Sequence, residues 1–432
     1  MKSYSGASGV RPSFQGDTNE AFGSVYANAL PSVTFVEEHL KDKKKLLLQN
    51  LEQGGAVIAI SGPSKSGKTV FVEATLGHDN LIQVSGANIG TPEELWRRIF
   101  AVIGTPIPTT KTVGKSEETA ITGSVEGGVP LVIKAAGAIG GKWGDTSGTT
   151  MDVKPDYLAL LVKELKGTDL VVFVDDFHYI GQAVQEEIAT VVKEAVREGL
   201  RFVLATVPYH ADDVVIANSD LRGRMLKLDF DYWDEAELRK IAEKGFAALN
   251  VTVSPATVSA FAIEAAGSPQ LMQSLCLNLC FEGDIESTLP EVVLLQPDQE
   301  LIKKVCKRTA QTNDYSSVIR IMREGPKVRG MPRNPYVLKD GSASDVYPIL
   351  VSAIAQSPPE LTFTYPVLLA RVASICVKEH PQGSSVTGAC AHMSTLANDA
   401  AGVSIVEWDG KNDVLDIRDP YLLFALRWSE SA

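Results

Sequence analysis

Eight consecutive residues of this sequence have the types and order needed to hold a polyphosphate: Gly62, Pro63, Ser64, Lys65, Ser66, Gly67, Lys68 and Thr69 read GPSKSGKT. In a GxxxxGKT run the glycines let the backbone wrap a phosphate so that successive N–H groups point at it, and the helix that follows adds the positive end of its dipole. Lys68 then serves as a mobile point charge for β and γ phosphates, and the Thr69 hydroxyl as a ligand for Mg²⁺. ATP and Mg²⁺ are the cofactors this loop predicts.

A second chemical cluster lies about a hundred residues on. The apolar run Leu170 to Val174 ends in Asp175 and Asp176, a Walker B pattern, and carboxylates at the carboxyl end of a strand beside a phosphate loop are placed to hold hydrated Mg²⁺. Asp175 is the metal candidate. Asp176 stands where many ATPases place a glutamate that orients or deprotonates the attacking water, and its shorter side chain predicts slow hydrolysis. Thr206 ends the apolar run 201–206, where a polar side chain would face the γ-phosphate. Further on, Arg222 and Arg224 in SDLRGRMLKLDF either form local salt bridges or reach a neighbouring subunit's nucleotide as a finger.

The elements that must position these groups alternate. The small and β-branched run Ala56 to Ile60 predicts a buried parallel strand before the loop, with a helix after it. A helix is expected within 35–53, a strand at 81–86, and a helix capped by Thr91-Pro92-Glu93-Glu94 that buries Leu95, Trp96, Ile99 and Phe100. Helices near 156–166 and 183–198 separate the remaining strands, so residues 35–230 predict an α/β core with a parallel sheet. Residues 105–152 interrupt it. They are rich in Gly and Thr and read either as a surface loop without fixed structure or as an inserted β-hairpin for self-assembly or partner contact; Lys134 and the shortness of the apolar run disfavour membrane insertion.

Residues 231–300 read as a helical lid, with Leu271, Leu275 and Leu279 on one face of its last helix and Gly267-Ser268-Pro269 just before it. Between Lys303 and Lys339 ten Lys or Arg meet two acids, and 301–341 reads as a basic linker or a contact for a phosphate backbone. From 342 to 432, helices followed by a hairpin with Asp409-Gly410 at its turn predict a winged-helix-like domain. Its would-be recognition helix, 384–401, contains no Lys or Arg, which argues against base reading there. Residues 1–34 lack periodicity and read as an arm.

Composition narrows the classes. At 432 residues, 44% hydrophobic and 22% charged, the chain is of ordinary globular type with room for two or three domains. No apolar run has the length of a membrane helix and the N-terminus lacks a signal-peptide core, so a cytoplasmic location without a membrane span is expected. The net charge of −12 disfavours broad adhesion to nucleic acid or anionic lipid. Five cysteines with no CxxC pair predict reduced, buried thiols.

GPSKSGKT, VVFVDD, Thr206 at a strand end, LRGR and the GSP before a helix occur in an order that resembles the P-loop ATPases of the AAA+ and STAND classes. The resemblance spans about 35–282. It implies a P-loop NTPase core, a helical lid, and nucleotide-dependent assembly into a homo-oligomer. Gly267-Ser268-Pro269 resembles the GxP turn of STAND proteins, whose proline packs near the nucleotide, so Pro269 is a cofactor-binding candidate. Gln270 stands where origin-recognition-type AAA+ proteins often carry a sensor arginine, which tilts the resemblance towards STAND. The function implied is a slow regulatory ATPase, an oligomerising switch that engages a protein partner, for example in bacterial defence or stress signalling. The alternative is a DNA-associated ATPase akin to replication initiators or transposition regulators, which the basic 303–339 stretch favours. A small-molecule kinase is disfavoured because no second substrate pocket is legible.

Overall fold

The structure, a computed structural model, describes residues 17–22, 33–107, 110–113, 149–152, 155–207, 224–327, 330 and 332–429. Two compact units emerge. One comprises 41–62 and 68–230; the other comprises 1–40, 63–67 and 231–432.

The first unit is built on a parallel sheet. Helix α1 (Lys41–Gln53) leads into strand β1 (Val57–Ser61), all five residues of which are buried, as a strand covered on both faces requires. Helix α2 (Lys68–Leu76) starts inside the glycine-rich loop, and β2 (Leu81–Ser85) and α3 (Pro92–Ile103) follow. Thr91 caps α3 by accepting the Glu94 N–H, Pro92 occupies the first turn, and Leu95, Trp96, Ile99 and Phe100 are buried at the spacing the sequence predicts. Strands β3 (Thr110–Val113) and β4 (Thr149–Asp152) pair antiparallel, so the two ends of the Gly/Thr-rich stretch meet. Residues 114–148, where the hairpin or loop was expected, lie outside the described residues.

Helix α4 (Tyr157–Leu165), β5 (Val171–Asp175), α5 (Gln182–Arg197), β6 (Arg201–Thr206) and β7 (Met225–Asp229) complete the core. The strand order is β2-β5-β6-β1-β7 and every pairing is parallel. The unit is therefore an α/β fold with the glycine-rich loop leaving the carboxyl end of β1, flanked by β6 and β7. Phe202, Val172, Val174 and Leu204 pack in one core with Ile188, Val192 and Trp96.

The second unit is mainly helical. Helix α6 (Glu235–Ala248) opens with a capping box in which Asp234 and Glu237 satisfy each other's backbone N–H. Strand β8 (Val251–Val253), α7 (Pro255–Glu264), α8 (Pro269–Glu282) and β9 (Val293–Leu295) follow. The parallel β8–β9 pair has no counterpart in the sequence reading, because three-residue strands leave no periodic trace. Leu271, Leu275, Cys276 and Leu279 are fully buried in the core of this helical region.

The stretch read as a basic linker is largely helical. Helix α9 (Gln299–Gln311) buries Val305, Cys306, Thr309 and Ala310, and α10 (Ser316–Glu324) buries Val318, Ile319 and Met322. At least five of its ten cations are engaged: Lys304 and Arg308 both pair with Glu282, Lys303 with Glu300, Arg320 with Glu324, and Arg333 with Asp345. Sequence counting saw the excess charge but not the carboxylate that the end of α8 brings to it.

Short strands β10 (Tyr336–Val337) and β11 (Ala343–Ser344) precede α11 (Val346–Ile354), β12 (Thr362–Thr364), α12 (Tyr365–Ile375), α13 (Ser384–Ala401), β13 (Val406–Asp409), β14 (Val414–Ile417) and α14 (Pro420–Trp428). Strands β12, β14 and β13 form an antiparallel sheet in that order, and Ile349, Leu350, Leu368, Val372, Met393, Leu415 and Leu422 share one core. The β13–β14 turn spans four residues rather than the Asp-Gly pair alone, because the Asp409 carboxylate accepts the N–H groups of Lys411 (2.8 Å) and Asn412 (3.3 Å). All five cysteines are free and buried. Among the described residues no helix is long and apolar enough to cross a membrane.

Candidate nucleotide-binding site

The glycine-rich loop is seated by β-sheet geometry before any ligand is considered. Gly62 N–H donates to the Thr206 carbonyl at 3.3 Å, and Phe230 N–H donates to the Ser61 carbonyl at 2.6 Å. A Cβ on Gly62 would stand 2.5 Å from the Phe230 Cβ and 2.8 Å from its carbonyl oxygen. Glycine is needed here for close approach to the end of β7, a reason the motif alone does not disclose.

Within the sheet unit, Lys68, Thr69, Asp175, Asp176 and Thr206 converge at the carboxyl ends of the strands. The Thr69 hydroxyl donates to Asp175 Oδ2 at 2.6 Å, joining the two Mg²⁺ candidates directly. Lys68 Nζ donates to the Gly62 carbonyl at 2.8 Å. Burial pushes the Lys68 ammonium down to about 8, against the upward pull of Asp175 and Asp176. Burial also raises the Asp176 carboxyl to about 6, helped by the charge of Asp175 and opposed by Lys68. At neutral pH Lys68 at about 8 still carries its charge, while Asp176 at about 6 is near its own titration point, a pairing compatible with phosphate binding and proton transfer.

Asp176 does not continue the strand. Its backbone is left-handed (φ 54°, ψ 37°), and its N–H donates to Asp175 Oδ1 at 2.9 Å. Gly86, at the end of β2, donates its N–H to the Asp175 carbonyl at 2.7 Å, and a Cβ on it would lie 2.5 Å from the Asp176 carbonyl oxygen. The acid pair is thus held by a neighbouring strand end that sequence reasoning passed over. A glycine closing LIQVSG was its only signal.

Two buried hydroxyls point to a ligand. Thr206 Oγ1, at the end of β6, and Ser66 Oγ, in the loop, are buried with no hydrogen-bond partner among the described residues. Within the sheet unit the donor set Thr69, Asp175 and Lys68, with the Thr206 hydroxyl, fits a phosphate chain and a hard divalent cation.

Residues 63–67 are held by side chains of the second unit, to which they belong. The Trp233 indole N–H donates to the Ser66 carbonyl at 3.0 Å, while the Trp233 amide donates to the Gly267 carbonyl at 3.0 Å. A Cβ on Gly67 would lie 3.9 Å from Trp233 and 4.0 Å from Pro269 Cγ. Pro269, buried at the start of α8, is therefore beside the loop, whereas Trp233 was not singled out because a lone tryptophan before a helix cap carries no motif. Pro63 is buried, Ser64 and Lys65 are half-buried, and Lys65 binds Asp419. Arg224 is exposed, and its carbonyl accepts the Val57 N–H at 2.8 Å; Arg222 lies outside the described residues.

No family model matches the chain, and no curated protein matches it. Solved structures similar to it include Cdc6p from Pyrobaculum aerophilum (14% identity over 94% of this chain and 96% of that one, TM-score 0.41). The ORC2 protein of Aeropyrum pernix matches at 13% identity over 95% of this chain and 97% of that one, with a TM-score of 0.49. The Walker-type ATPase paby2304 of Pyrococcus abyssi matches at 14% identity over 91% and 95%, also with a TM-score of 0.49.

Proposed function

We propose that this chain is an ATP-binding, slowly hydrolysing regulatory ATPase of the AAA+/STAND kind, assembling with copies of itself in a nucleotide-dependent way and engaging a protein partner, as in bacterial defence or stress signalling. The observation that carries the nucleotide reading is the 2.6 Å Thr69–Asp175 bond beside a buried Lys68. Bound Mg²⁺ supplies charge neutralisation on the β and γ phosphates. Thr69 and Asp175 would hold that ion, and the loop N–H groups with Lys68 would bind the phosphates. Thr206 would satisfy its hydroxyl on them. Asp176, raised to about 6, accepts a proton from a water near neutral pH; its side chain, one methylene shorter than glutamate, supports a slow rate.

The alternative reading is a DNA-associated AAA+ ATPase of the replication-initiator or transposition-regulator type. Lys303, Lys304, Arg308, Arg320 and Arg333 already have carboxylate partners, and α13 carries no cation. Titration of ATP with Mg²⁺ into the wild type and into Lys68→Met by calorimetry tests the core of the proposal. Binding by the wild type and loss of roughly a hundredfold or more in the variant are expected, since the substitution removes a charge-assisted phosphate contact. Equal affinities would mean that the loop does not hold the nucleotide. Light scattering with ADP, a non-hydrolysable ATP analogue, and DNA in turn separates the switch from the DNA-associated alternative.

A further inference from the structure

Lys65 is a second cation in the phosphate loop, and it is committed elsewhere. Its Nζ lies 3.1 Å from both oxygens of Asp419, 354 residues away in sequence, and 4.1 Å from the centroid of the Tyr421 ring. Asp419 is not there for Lys65 alone. Its Oδ1 caps α14 by accepting the Tyr421 N–H at 2.9 Å, and its Oδ2 accepts the Tyr315 hydroxyl at 2.5 Å. The Tyr421 hydroxyl is in turn fixed on Ser274 at 2.8 Å. The pair is shielded, with Lys65 and Asp419 side chains 25% and 12% exposed, so its charges are only partly screened by solvent.

A carboxylate at the tip of a polyphosphate loop works against its ligand twice, by neutralising a cation and by repelling the phosphates. If Lys65 leaves, Asp419 keeps the Tyr315 hydroxyl and the Tyr421 N–H, so the carboxylate is not orphaned and the exchange is inexpensive. We propose that Asp419 sets the nucleotide affinity of this loop by competing with bound phosphate for Lys65, so that a nucleoside polyphosphate draws Lys65 off the cap of α14 and releases the loop from the C-terminal helix. The inference rests on the nucleotide reading above and adds its regulation.

The test is calorimetric titration of the full-length chain with Mg-ADP and Mg-ATP. Asp419→Asn keeps a good helix cap and removes the charge, so it should tighten binding about 5- to 50-fold, within the usual range of coupling between sites. Lys65→Gln should weaken binding, and in the double variant the gain from Asp419→Asn should largely vanish, because the two residues are coupled. Effects of opposite sign are decisive: an ion pair that is only structural would lower the melting temperature in both variants and leave affinity unchanged, which overturns the proposal. Should Asp419→Asn fail to fold, Asp419→Ser preserves the cap with the same expectation. Binding-competent variants with unaltered affinity overturn this inference alone, whereas absence of binding by the wild type overturns the nucleotide reading and this inference with it.

Discussion

Asp176 and Lys68 are displaced in opposite senses from their ordinary values, and each displacement has a pH signature. For Asp176, the folded value of about 6 lies above 3.8, so its contribution to stability is fully present below pH 3.8 and lost as pH rises through 6. The ionised form that accepts a proton grows over the same range. ATP turnover should therefore climb as pH passes about 6, and Asp176→Asn, which keeps the shape without the base, should be slower with that step gone; wild-type rates in Asp176→Asn exclude it as the catalytic base. Lys68 has the reverse sign. Its folded value of about 8 lies below 10.5, so the cost of its buried charge is full at neutral pH and disappears as pH rises from 8 to 10.5. The Lys68→Met protein used for calorimetry should be more stable than the wild type at pH 7, by about 1–3 kcal/mol, with the margin closing above pH 8 in thermal scans. A fall in stability at pH 7 would show that the ammonium is better compensated than its burial implies.

At the scale of elements, the site depends on strand ends that approach each other without side chains. Gly86 lets the β2 end pack on the left-handed Asp176, a backbone state that costs of order 1–3 kcal/mol outside glycine and persists only when neighbours impose it. Gly86→Ala must push the Asp176 carbonyl away and turn its carboxylate, while Lys68 and Thr69 on α2 stay in place. The expected result is a fall in kcat of about 10- to 100-fold with the KM for ATP altered less than about threefold, since small misplacements of a reacting group are costly. Equal losses in kcat and in ATP affinity would point instead to general damage of the sheet.

At the scale of the whole molecule, the question is whether one copy completes another's site. Arg224 is exposed at the start of β7, as a residue acting in trans would have to be. On the proposal of nucleotide-dependent assembly, Arg224→Ala should lower turnover without lowering ATP affinity, because an arginine finger is worth about 10³ to 10⁵ in rate whereas an exposed ion pair contributes about 0 to 1 kcal/mol. Mixing Arg224→Ala with Lys68→Met subunits should restore part of the activity, as each supplies what the other lacks. Mixed oligomers that stay inactive at every ratio would exclude Arg224 and leave Arg222 as the residue to test.

The amino-acid sequence by itself determined the chemistry that is local. A β-branched run, a glycine-rich loop and a helix in immediate succession leave little freedom, so GPSKSGKT and the strand before it were legible, as were the paired acids after VVFV and the cap at Thr91. Helical periodicity placed the buried faces of α3 and α8 for the same reason. What depends on distant segments was not legible. The charge of 303–339 looked unpaired until the fold brought Glu282 beside Lys304 and Arg308, and its helices looked like linker because the run of cations drew the reading away from the apolar residues that pack. Trp233 and Gly86 carry no motif, yet one holds the Ser66 carbonyl and the other the Asp176 backbone. Asp419 caps α14 just before Pro420, a role local to its own helix. Only tertiary packing, which sets its carboxylate against a lysine 354 residues earlier, decided that the same oxygens also hold the phosphate loop.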